Sequence, residues 1–120
     1  MNVSAPLLLV LLMTSAVSAQ GKNLLFYGNS FTYYSWGYGV PELISLIATE
    51  AGHPTPTIVQ ALVGGATLGH HATDPSQVAI ISNALPAGQT WDHVIMQGRT
   101  PEATTGGGFS PIVFRNNAVA

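Results

Sequence analysis

The chain has 120 residues, one domain at most, with 7% charged residues and a formal net charge of −2. Its three basic residues, Lys22, Arg99 and Arg115, are scattered, which excludes the basic patch that nucleic-acid binding requires. There is no cysteine, so disulfides, a cysteine nucleophile and thiolate metal sites are excluded.

The chain opens with a short apolar run over residues 6–13, followed by Thr14-Ser15-Ala16-Val17-Ser18-Ala19-Gln20. Small side chains at Val17 and Ala19 form a signal-peptidase site, with cleavage before Gln20. Residues 1–19 are therefore expected to be a signal peptide, and the protein to be secreted or periplasmic. Residues 1–4 carry no Lys or Arg, and a membrane anchor is the competing reading. The run is much shorter than the roughly 20 residues of a spanning helix, so export is favoured and no stable membrane span is expected.

After the leader, residues 23–27 read as a short, fully buried strand that runs into Gly28-Asn29-Ser30. The aromatic, glycine-rich stretch 31–39 reads as a loop. Val40, Leu43, Ile44, Ile47, Ala48 and Ala51 then recur at helical spacing, with Pro41 in the first turn and Gly52 past the end. Residues 57–63 read as a second strand stopped by Gly64-Gly65. The pair His70-His71 follows in what reads as a loop. Asp74-Pro75-Ser76-Gln77 is a helix start, with Asp74 as N-cap and Gln77 placed for a capping box. Val78, Ile81 and Leu85 are the stripe expected to be buried. Residues 93–96 read as a third strand ending in Gln97-Gly98, residues 104–108 as a loop, and Ser110-Pro111 as a further helix start.

The order β-α-β-α-β-(α) implies an α/β fold with a parallel sheet, right-handed crossovers and helices on both faces. Three strands make a thin sheet with open edges. The expectation is that residues 20–120 are the N-terminal part of a larger domain.

In such a sheet three strand ends converge, at Gly28-Asn29-Ser30, Gly64-Gly65 and Gln97-Gly98. Ser30 supplies a hydroxyl and an N–H, a glycine supplies an N–H on approachable backbone, and Gln97 supplies a carboxamide. These are the parts that acyl transfer needs: a nucleophile and donors aimed at a developing oxyanion. The bland alternatives are a helix cap or turn at the serine and ordinary loop glycines. Tyr33, Tyr34, Trp36 and Tyr38 either stack on a sugar ring or cover the end of the core. Asp92 reads as a solvated strand-end cap, His53 as surface and His93 as half-buried. The two adjacent histidines lack a third ligand for zinc.

Gly28-Asn29-Ser30-Phe31-Thr32 resembles the first block of the SGNH (GDSL-like) hydrolases, in the variant with Asn in place of Asp. Gly64-Gly65-Ala66-Thr67-Leu68 followed by His70 is similar to their second block. Trp91-Asp92-His93-Val94-Ile95-Met96-Gln97-Gly98 resembles the third, in subfamilies where Gln replaces Gly-x-Asn-Asp. The resemblance spans residues 23–120. It implies a flavodoxin-like three-layer α/β/α fold and hydrolysis of acyl esters, often acetyl groups on carbohydrates, with no cofactor and no metal. It makes Ser30 the nucleophile and places the Ser30 N–H, the Gly65 (or Gly64) N–H and Gln97 in the oxyanion hole. Asn29, Gly64 and His70 become candidate substrate contacts.

Two departures stand out. In a different alignment Thr100 rather than Gln97 takes the third-block Asn place; Gln97 is preferred because an amide reproduces the Asn chemistry. The Asp-x-x-His block that supplies the family's base does not occur, and no Asp follows Asp92. Low ester turnover is therefore expected of this chain by itself. A non-catalytic carbohydrate-binding module and a truncated gene product are the competing readings.

Overall fold

The computed structural model describes residues 20–104 and 110–119. The expected leader, at 1–19, and most of the expected loop at 104–108 lie outside the described residues. Three strands, β1 (Asn23–Gly28), β2 (Thr57–Leu62) and β3 (His93–Met96), form one parallel sheet in the order β2-β1-β3. That order matches the first three strands of the flavodoxin-like arrangement.

β1 takes the centre because all six of its residues can be buried. Its alternation sends Leu24 and Phe26 to one face, Leu25 and Tyr27 to the other. Leu25 lies opposite Val59 and Val94, and Tyr27 opposite Ala61 and Met96. Leu25, Tyr27 and Ala61 form a core cluster, with Val59, Ile80 and Trp91 packed against it. Fully burying side chains of this size contributes about 1.5–3 kcal/mol each.

Helices cover both faces. Helix α1 (Val40–Glu50) lies over the Leu24 side: Gln60 Nε2 of β2 donates to Glu42 Oε1 at 2.7 Å, and Leu24, Ile44 and Ala48 line a common cavity. Helices α2 (Leu68–Thr73) and α3 (Pro75–Asn83) lie over the Tyr27 side, where the Tyr27 hydroxyl donates to Gln77 O at 2.7 Å. A 3-10 helix (Thr100–Ala103) and helix α4 (Pro111–Val119) follow β3. No helix among the described residues is long and apolar enough to cross a membrane.

Several local expectations are corrected. His70 and His71 stand in α2, not in a loop; the Thr67 hydroxyl caps that helix by accepting the His70 N–H at 3.0 Å. Asp74 caps α3 as expected, accepting from Ser76 and Gln77 N–H, but Gln77 does not complete the box. Its side chain turns to His71 instead, while the Asp74 N–H is taken by His70 O. Val78 and Ile81 are half exposed and Leu85 falls beyond the helix; Ile80 is the α3 side chain that meets the core. On α1, Ile44 and Ala48 are half-buried whereas Val40, Leu43 and Ile47 are exposed. β3 has a neighbour on one side among the described residues, so His93, Val94 and Met96 are exposed.

Asp92 ties the strands together at their amino ends. Its Oδ2 accepts the Asn23 N–H at 2.8 Å and its Oδ1 meets Lys22 Nζ at 2.7 Å. The Lys22 hydrogen bond, and then that of the Asn23 N–H, hold its carboxyl below its ordinary value of 3.8. A depressed carboxyl stabilises the fold above its unfolded value and loses that effect as pH falls through the folded one. The melting temperature of the wild type is therefore expected to exceed that of Asp92→Asn at neutral pH. A thermal-denaturation series should show this gap closing below about pH 3.8.

Candidate functional site

In a sheet ordered β2-β1-β3 the chain reverses direction across the sheet between β1 and β3. Ligands of open α/β sheets bind outside the carboxyl ends of the strands at such a switch point. Ser30 follows β1 and Gln97 follows β3, so both lie at that edge of the sheet.

Asn29 builds the first wall. It is 1% exposed; its Oδ1 accepts the Phe31 N–H at 3.1 Å, and its main-chain oxygen accepts Thr32 N–H at 2.9 Å and Tyr33 N–H at 3.3 Å. Side chain and backbone thus close one tight turn, with Ser30 exposed at its tip. Among the described residues neither the hydroxyl nor the N–H of Ser30 makes a hydrogen bond.

The second wall is the turn after β2. Val63 O accepts the Ala66 N–H at 3.0 Å, with Gly64 and Gly65 at the corner. Gly65 has φ +69° with open space around it, so backbone conformation rather than crowding selects glycine there. The N–H groups of Gly64 and Gly65 are unpaired among the described residues. Asn29 Nδ2 donates to Ala66 O at 3.0 Å and fastens this turn to the first.

Gln97 begins the third wall. Its N–H donates to Tyr27 O at 2.9 Å, which continues the pairing of β3 with β1. Its Oε1 accepts the Thr32 hydroxyl at 3.0 Å and the Asn29 N–H at 3.4 Å, while Nε2 donates to Gly98 O. Thr100 opens the 3-10 helix and is exposed. Of the two alternatives, Gln97 is the residue joined to the Asn29 turn.

Three residues to which the sequence reading gives no structural role hold these walls in place. Buried Glu102 accepts the Leu68 N–H on both oxygens, at 3.0 and 3.2 Å, and also the Arg99 N–H, binding the β3 loop to the start of α2. Buried His71 donates from Nε2 to Gly28 O at 3.0 Å; its ring lies 5.3 Å from that of Tyr27. Thr32, 5% exposed, sits so close to Gly28 that a Cβ there would lie 2.4 Å from its hydroxyl oxygen. Only glycine leaves that room. A Glu, His or Thr whose partner is 34 or more residues away leaves no local pattern; the glycine before Asn29 is the one available hint.

His70 is half-buried, and its ring packs edge-on against His71 at 5.5 Å. Phe31, Tyr34, Trp36 and Tyr38 are 57–87% exposed, with Tyr34 and Trp36 edge to face at 6.1 Å. Those four do not cover the core, whereas Tyr33 is half-buried with its hydroxyl against Gly64. Among the described residues no three His, Asp or Glu side chains gather as a metal site requires. No protein-family model, curated protein or solved structure matches the chain.

The Asn29 contacts specify an amide. Asn29→Asp would set a carboxylate oxygen against the Ala66 carbonyl in a buried position, at a cost of about 1–3 kcal/mol. Urea denaturation is expected to show a loss of that size.

Proposed function

We propose that this carboxyl-end edge of the sheet is the site of an exported serine ester hydrolase of the SGNH type, acting on acyl, chiefly acetyl, esters of carbohydrates. The observation that carries this reading is the joining of the three strand-end turns through Asn29 and Thr32, on either side of Ser30, whose hydroxyl and N–H have no partner among the described residues. The Ser30 oxygen attacks the ester carbonyl carbon, and the carbonyl π pair moves onto oxygen. The N–H groups of Ser30 and Gly65 (or Gly64) and the Gln97 amide stabilise that oxyanion. Its collapse breaks the ester C–O bond, and the leaving oxygen takes the proton that a base removed from Ser30 and departs as the alcohol. Water then cleaves the acyl-serine to the acid and free Ser30. Asn29 holds the turn, while Gly64 and His70 border the substrate.

The exposed rings of Phe31, Tyr34, Trp36 and Tyr38 support a carbohydrate substrate. An aromatic face carries partial negative charge and suits the C–H face of a sugar ring. No Lys or Arg lies between Lys22 and Arg99, so this loop offers no cation to an anionic polymer. The apolar run and the small residues before Gln20 support export.

Activation of Ser30 requires a base. In serine proteases, removing triad members leaves only about 10³–10⁴-fold catalysis over water. Residues 20–120 are therefore expected to turn over p-nitrophenyl acetate near background, yet to be labelled at Ser30 by a fluorophosphonate once imidazole is supplied as an external base. Mass spectrometry of wild type and Ser30→Ala reads this out; labelling that persists in Ser30→Ala, or none in the wild type, sinks the hydrolase reading. The aromatic loop favours a second reading, a module that holds the sugar without cleaving it. Retardation in an acetylated-xylan gel, lost in Trp36→Ala, combined with an unlabelled Ser30 would select that one.

A further inference from the structure

We infer that Thr32 is a positioning residue: its hydroxyl, with the Asn29 N–H, orients the Gln97 carboxamide so that its nitrogen is the end left to serve a bound oxyanion. The inference rests on the hydrolase reading for its purpose, but its geometry is independent of it.

A backbone N–H can only donate, so the Gln97 atom facing the Asn29 N–H must be the carbonyl oxygen. That oxygen also lies 3.0 Å from Thr32 Oγ1, so the hydroxyl must donate as well. The opposite end faces Gly98 O, a pure acceptor, and must be the NH2 group. Turning the amide over would set N–H against N–H at Asn29 and oxygen against oxygen at Gly98. One orientation satisfies all the partners.

Thr32 is itself immobilised. Its N–H donates to Asn29 O at 2.9 Å, its carbonyl accepts the Val40 N–H at 2.8 Å, and its side chain is buried against Gly28. Water therefore competes poorly for its hydroxyl. A carboxamide nitrogen has two hydrogens, and Gly98 O takes one. The second has no partner among the described residues. The turn bearing Ser30 and the amide after β3 are thus locked as one unit across the switch point.

The test uses ¹⁵N-labelled full chain. The Gln97 side-chain amide signal is assigned by its loss in Gln97→Glu. Its heteronuclear NOE is expected to match the rigid backbone in the wild type, to fall in Thr32→Val, and to recover in Thr32→Ser. Thr32→Ala repeats the measurement if the valine variant does not fold, as judged by circular dichroism. An unchanged NOE in a folded Thr32→Val or Thr32→Ala overturns the proposal, as does a failure of Thr32→Ser to restore it. Fluorophosphonate labelling with imidazole supplied as an external base provides the second readout: the Ser30 oxygen–phosphorus bond forms, fluoride leaves, and the hydroxyl proton passes to the imidazole. Deleting an oxyanion donor outright costs about 10²–10³-fold, so a misoriented one is expected to slow labelling about tenfold in Thr32→Val, with recovery in Thr32→Ser. Labelling in no variant, the wild type included, removes the hydrolase reading, while the NOE series still decides the role of Thr32.

Discussion

The buried carboxamide of Asn29 is the interaction on which the rest of the site depends. It closes its own turn through Oδ1 and holds the turn after β2 through Nδ2, while the adjoining N–H reaches Gln97. A buried amide left unpaired would be costly, and here both ends are satisfied. Because Asn29 is almost fully buried, Ser30 is carried outward at the tip of a turn that cannot relax. The exposed serine and the buried asparagine are two consequences of one conformation.

Beneath the turns lies a sheet whose stability is concentrated in one strand. β1 is buried on both faces and paired on both edges. β2 and β3 are much more exposed. The polar residues at the two ends of β1 do different work. At the amino end, Asn23 and Asp92 secure the strand start. At the carboxyl end, Gly28 O receives both the Val63 N–H and the buried His71, which presses α2 against the base of the site.

Much of this was legible beforehand. The all-apolar run of β1, the helical spacing from Val40 and the Asp74-Pro75 start each rest on local periodicity or capping, and each element appears where that reading placed it. The three strand-end turns were legible as glycine-rich stops. Less legible were the residues that join them. Glu102 and Leu68 are 34 apart in sequence, His71 and Gly28 are 43 apart, and Thr32 and Gln97 are 65 apart. The buried stripe of α3 was misplaced for a related reason. Helical periodicity names an apolar face, but β3 covers little of that side, so Ile80 packs inward while Val78 and Ile81 stay half exposed.

The amino-acid sequence by itself determined the succession of strands and helices, the buried character of β1, and the presence of Ser30, Gly65 and Gln97 at strand ends. Hydrophobic period and turn chemistry act over a few residues, so they can be read from the chain alone. The tertiary structure decided the strand order β2-β1-β3, which puts Gln97 beside the Asn29 turn at the switch point. It also decided which way the Gln97 amide faces, and it assigned Thr32, His71 and Glu102 their places. Those outcomes depend on burial and donor–acceptor matching between distant segments, and such matches exist only once the sheet has brought the strand ends together.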